Sequence, residues 1–162
     1  MGRFEEFTYL INEIIKYWQK IAQTELSPYG LKSSHLLYLT SLYKNPEGLS
    51  ATELSDILGR DKADVSRMTN ALVNKGVLVK KSKNKKKYGG IFYLTDKGKE
   101  IASKVTSLSD EYVDLASKNL SVDIRSILYQ ALESINKNLQ FAYKDLGGKN
   151  VNKTNNWLNC RY

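Results

Sequence analysis

Between Ser50 and Leu94 the sequence admits few architectures. Ser50 and Glu53 have the spacing of a capping box, in which each side chain satisfies an orphan amide of the other's turn, and they predict a short helix over 51–58 ended by Gly59. Asp61 is placed to cap a second helix by accepting from the amides of residues 63 and 64; Val65, Met68 and Leu72 form its inward stripe and Gly76 closes it. Val77-Leu78-Val79 and Ile91-Phe92-Tyr93-Leu94 have the β-branched and aromatic content of strands, so 80–90 becomes a long charged hairpin tip. Two short helices joined around Gly59 and followed by a basic hairpin read as a helix-turn-helix with a wing.

The flanks are helical. Phe4, Phe7, Ile11, Ile14, Ile15, Trp18, Ile21 and Ala22 repeat at three and four residues and predict a helix over 4–26, stopped by Ser27-Pro28-Tyr29-Gly30. A helix over 33–43 through Leu36, Leu37, Leu39 and Leu42 meets a turn at Asn45-Pro46-Glu47-Gly48. After the hairpin, Thr95-Asp96 caps a fifth helix with the stripe Ile101, Val105, Leu108, Tyr112, Leu115. A sixth carries Ile124, Ile127, Leu128, Ala131, Leu132, Ile135, Leu139 and Ala142. The expected class is mainly α with a small β-hairpin wing: a winged helix-turn-helix over 31–98 plus a helical dimerisation lobe from 1–30 and 99–146, in one domain over 1–146, with a polar C-terminal tail over 147–162. The stripes of the first, fifth and sixth helices are longer than the central module can cover, and such stripes commonly pair in an isologous interface, which predicts a homodimer.

Charge is concentrated in the same module. Residues 60–90 hold ten Lys or Arg against Asp61 and Asp64, a balance of +8 equal to that of the whole chain, so the remainder carries fifteen basic and fifteen acidic side chains. A neutral body with one basic module suggests a defined anionic partner, nucleic acid first. No apolar run reaches the roughly 20 residues of a membrane span, and acids at Glu5 and Glu6 stand where a secretory signal would need apolar residues, so the expected location is cytoplasmic. With one cysteine, Cys160, and one histidine, His35, the chain can form neither an internal disulfide nor a tetrahedral zinc site from such ligands, and no metal or cofactor is expected. No glycine-rich phosphate loop and no Ser-His-Asp or Cys-His set is present, which argues against an enzyme.

The helix after Gly59 is thin enough to enter the major groove of duplex DNA. With Val65, Met68 and Leu72 turned inward, Lys62, Ala63, Ser66, Arg67 and Asn70 fall on or near the opposite face. Arg67 can donate a bidentate pair to guanine, and Asn70 the equivalent to adenine. Ser50 and Thr52, at the amino end of the preceding helix, suit a phosphate and would position while Arg67 specifies. Lys83, Lys85, Lys86 and Lys87 extend the basic face into the wing, where Tyr88 is either a packing residue or a groove contact.

Residues 31–98 resemble the winged helix-turn-helix of the MarR (multiple antibiotic resistance regulator) family of transcription factors. The resemblance rests on Leu54-Ser55, on Asp61-Lys62-Ala63-Asp64-Val65-Ser66-Arg67-Met68, on Leu72-Val73-Asn74-Lys75-Gly76-Val77-Leu78 and on Leu94-Thr95-Asp96-Lys97-Gly98, with the flanking helices extending it to about residue 146. It implies a homodimer in which the first, fifth and sixth helices interlock, recognition helices in successive major grooves and wings over the flanking minor grooves. It also implies a ligand-responsive repressor on a palindromic operator, with a small aromatic or lipophilic effector near Tyr9, Trp18, His35 and Tyr38. Wings of this family commonly carry an Asp-Arg pair where this chain reads Lys85-Lys86-Lys87-Tyr88. Lys is more strongly hydrated than Arg and fits a narrow minor groove less well, so this wing is expected to attract phosphate more than it reads shape. The alternative is a winged-helix module that docks RNA or an acidic protein; a requirement for duplex DNA separates the two.

Overall fold

The computed structural model describes residues 2–82 and 90–148. Its elements are α1 (Arg3–Leu26), short 3-10 turns at Ser27–Tyr29 and Ser33–His35, α2 (Leu36–Lys44), β1 (Leu49–Ser50), α3 (Ala51–Leu58), α4 (Lys62–Asn74), β2 (Leu78–Ser82), β3 (Gly90–Leu94), α5 (Asp96–Ala116) and α6 (Val122–Gly148). The three strands form an antiparallel sheet in the order β1-β3-β2. This is the mainly helical winged architecture that the caps and strand signals predict. Two details differ. The two-residue strand β1 pairs Leu49 with Phe92 and Ser50 with Ile91, a non-local pairing too short to leave a periodic signal. At the other end of the chain, α6 includes Gly147 and Gly148, where the sequence predicts the start of the tail.

The chain divides between Tyr112 and Val113 into two compact units. The core of the first is built where the local signals are densest: Leu26, Leu31, Leu39, Leu54, Val65, Leu72, Val77, Phe92, Ile101 and Val105 are buried together. Burying a side chain of this kind contributes about 1.5–3 kcal/mol. The amino end of α5 is locked onto this core. The Thr95 hydroxyl donates to the Gly76 carbonyl (2.7 Å) and accepts from the Gly98 amide (3.1 Å), so Thr95 is the cap. A Cβ at Gly98 would strike the Val77 carbonyl, which is why the helix can approach the junction of α4 and β2 so closely.

In the second unit, Ser117 and the Arg125 guanidinium join the end of α5 to the first turn of α6, with Arg125 also 3.8 Å from Asp114. α6 has no buried residue among those described; Ile124, Ile127, Leu128, Leu132, Leu139, Phe141 and Tyr143 are exposed. No helix among the described residues is long and apolar enough to cross a membrane.

Candidate nucleic-acid interface

Helix α3 begins as its sequence requires. The Ser50 hydroxyl accepts from the Glu53 amide (3.2 Å), and the Glu53 carboxylate accepts from the Ser50 amide (2.7 Å). This reciprocal cap sets a carboxylate beside the first turn of α3. Ser50 is half-buried and Thr52 is exposed. Gly59 adopts φ 60°, a left-handed conformation costly for a residue with a Cβ, and its amide closes on the Ser55 carbonyl. The Ser55 hydroxyl donates to the Arg60 carbonyl, fixing the turn into α4.

Asp61 caps α4 through the Asp64 amide (2.8 Å). The buried face of α4 is Val65, Thr69 and Leu72, with Met68 half-buried at its margin. Thr69 is a polar member of that face that the stripe did not reveal; its hydroxyl donates to the Val65 carbonyl four residues back (2.8 Å), so it is buried without an unmet hydrogen bond. Lys62, Ala63, Ser66, Arg67 and Asn70 are all exposed, on or flanking the opposite side as helical spacing demands.

The outward face also contains a carboxylate that helical spacing alone would not single out. The Tyr38 hydroxyl, on α2, donates to Asp64 Oδ2 (3.3 Å), and the Arg67 guanidinium lies 3.4 Å from Asp64 Oδ1. Tyr38 is 2% exposed, the Asp64 side chain 21% and the Arg67 side chain 73%, so the chain of contacts rises from the core to the surface. Burial first, then the Asp64 charge, pushes the Tyr38 hydroxyl up to about 12, so it remains a donor through the physiological range.

Strand β2 packs beside α4 and extends the basic surface. Lys80 pairs with Phe92 across the strands, and its ammonium stands 5.5 Å from that ring's centroid. Its stem runs over Gly90, where a Cβ would collide with it. Lys81 stands 5.1 Å from the Tyr93 ring, and cation–π contacts of this kind hold both cations near the root of the wing. Lys83, Lys85, Lys86, Lys87 and Tyr88 lie outside the described residues, as does Cys160.

The four effector candidates do not converge. Tyr9 is exposed, Tyr38 is engaged with Asp64, and His35 is buried with Nδ1 accepting from the Lys32 amide (2.9 Å). Trp18 alone lines the crevice found between α1, α2 and α5, with Ile21, Glu25, Leu36, Leu108 and Tyr112. That crevice encloses about 10 Å³, the room of a single water and too little for an aromatic ligand without movement. Their differing burial and internal hydrogen bonds depend on packing that no local pattern of residues shows. Among the described residues no group of three potential metal ligands comes together.

Residues 29–87 match the MarR family model. No curated protein matches the chain. The fold is similar to that of a MarR transcriptional regulator from Methanosarcina mazei Go1 (22% identity, 88% of this chain and 94% of that one covered, TM-score 0.74). It is also similar to a MarR family transcriptional regulator from Listeria monocytogenes complexed with a 26mer DNA (21%, 90% and 97%, 0.79) and to S. aureus MepR in a DNA complex (20%, 82% and 97%, 0.75). At these identities the structural likeness is one of fold.

Proposed function

We propose, from a chain whose residues 29–87 match the MarR family and whose fold is that of its solved members, that this protein is a transcriptional regulator that binds double-stranded DNA sequence-specifically as a homodimer. The observation that carries the reading is the exposed face of α4, where Lys62, Ser66, Arg67 and Asn70 stand together beside the lysines of β2 while the opposite face is fully committed to the core. Arg67 and Asn70 would read base edges, Lys62 and Ser66 would serve phosphate or base contacts, and Ala63 would allow close approach. Ser50 and Thr52 would position a phosphate through their hydroxyls, with the wing lysines adding charge. Two neighbours solved with DNA support the choice of partner.

The second copy is proposed from the apolar residues that α1 and α6 leave exposed, among them Phe4, Phe7, Leu10 and Ile14 on the first and Ile124, Ile127, Leu128 and Leu139 on the last. In this reading the segments 1–30 and 99–146 supply the dimerisation lobe and 31–98 the reader. Two-fold symmetry in the protein calls for a pseudo-palindromic operator with half-sites one helical turn, about 10 base pairs, apart. Occupying such a site over a promoter makes the regulator a repressor. A small aromatic or lipophilic effector would enter at the Trp18 crevice and would have to widen it.

Selection of bound sites from random duplex DNA tests the reading. The expected outcome is an inverted repeat that competes against non-cognate duplex. Enrichment of no sequence, or equal binding to single-stranded RNA, would overturn it.

A further inference from the structure

Asp64 calls for a physical reason beyond capping. A carboxylate facing a polyanion opposes binding, and Asp61 already supplies the cap of α4, so the first turn does not require a second acid for that purpose. The Tyr38 hydroxyl holds it from the core side and the Arg67 guanidinium meets it from the solvent side. This pairing restrains a long side chain that would otherwise sample many rotamers before meeting DNA.

A guanidinium carries five N–H donors, so Arg67 can keep one edge on Asp64 while another addresses a pair of neutral acceptors such as guanine O6 and N7. A phosphate is a different matter. It brings a full negative charge toward the Asp64 carboxylate, in a setting only partly screened by water because the Asp64 side chain is mostly covered. The same pairing therefore favours a base edge and disfavours the backbone. We propose that Asp64, held by the Tyr38 hydroxyl, is a specificity-determining residue that reserves Arg67 for a base edge and penalises sequence-independent phosphate contact. The proposal rests on the DNA-binding reading above and adds Asp64 and Tyr38, neither of which touches the DNA in a reading role, as its positioning residues. Tyr38 stays protonated over the whole working pH range, so the support is constant.

The test measures operator and random-duplex affinities of wild type, Asp64→Asn, Tyr38→Phe and the double variant over a series of salt concentrations. Asp64→Asn should bind random duplex more tightly and lose operator preference by about tenfold, combining a weakened base contact with the removal of the repulsion. Its salt dependence on random duplex should steepen by up to about one unit as Arg67 turns to a phosphate, a change that mere loosening of the fold would not produce. Tyr38→Phe keeps the ring in the core and should move both readouts the same way by less, and the double variant should go no further than Asp64→Asn. Should Asp64→Asn fail to fold by circular dichroism, Tyr38→Phe alone decides. An unchanged operator-to-random ratio and salt slope in the folded variants, with wild type still selective, would overturn this inference and leave the DNA-binding reading standing. Wild type without selectivity would overturn both.

Discussion

Every hydrophobic residue buried among the described residues lies between Ala22 and Val105, whereas α6 runs for 27 residues and buries none. The two regions are nearly alike in helix-forming pattern, since both carry apolar stripes at three and four residues. They differ in what surrounds the stripe. In the winged-helix region the elements are short and pack around one shared core, through local turns and through the non-local pairing of β1 with β3, so the chain supplies its own cover. In α6 the stripe is long, and none of it is fully buried among the described residues. A helix in water gains most of its stability from packing rather than from propensity. Stability should thus be a property of the chain in the first region and of protein concentration in the second.

The largest expected effect tests that difference directly. Leu128 and Leu139 lie eleven residues apart, three turns of helix, and so share one face of α6. Replacing both with Asp should remove about 3–6 kcal/mol from a dimer, counting four leucines at about half their full burial value because Leu128 and Leu139 are 42% and 60% exposed before the copies meet. Light scattering should then report 18.4 kDa in place of twice that mass, and the wild-type rise of Tm with protein concentration should vanish. Operator binding should fall with the dimer, while the winged-helix core keeps its near-ultraviolet signature. A variant that keeps the doubled mass would place the interface elsewhere.

What could be read from residues follows the same division. Ser50 with Glu53, Asp61, Gly59 and Gly76 each act within four residues, and the structure uses each at its expected place, Asp61 through the Asp64 amide. Strand β1 escapes such a reading because two residues cannot carry a period and its partner Phe92 lies far along the chain. Tyr38 stands among the effector candidates because the family resemblance implies a ligand near it. Its tie to Asp64 crosses 26 residues and depends on how α2 packs on α4, which no local pattern encodes. Thr69 is hidden for a related reason: a hydroxyl that satisfies itself on its own helix can be buried, and composition alone marks it as polar.

A smaller effect should arise on the surface of the self-covered region without touching its stability. Arg67→Ala should cost about 1–3 kcal/mol on the selected operator and relax preference at one base position. Replacing Lys85, Lys86 and Lys87 together should weaken operator and random duplex by similar factors, and should shallow the salt dependence by about one unit for each phosphate no longer neutralised. The Arg67 change should leave Tm unaltered, because Arg67 is largely solvent-exposed. If the lysine triple variant lost operator binding but kept random-duplex affinity, the wing would be a reader of sequence or shape.

The smallest effect lies inside the core and sharpens the claim that this region's stability belongs to the chain alone. His35 is buried, and its Nδ1 accepts from the Lys32 amide, so the neutral ring carries its proton on Nε2. Burial, then the charges of Lys75 and Lys32, hold its pKa below the ordinary 6.5. The folded state thus takes up a proton less readily than the unfolded chain. The associated stability is fully present above the ordinary value and is lost as pH falls through the lowered one. Melting curves at about pH 7.5 and about pH 5 should show a loss of Tm on acidification that does not depend on protein concentration. His35→Asn offers an oxygen near the place of Nδ1 and cannot titrate; it should be less stable than wild type at the higher pH and lose less Tm between the two. If the acid-induced loss instead scaled with protein concentration, protonation would be acting on the association between copies, and the two regions would not be separable in the way their burial implies.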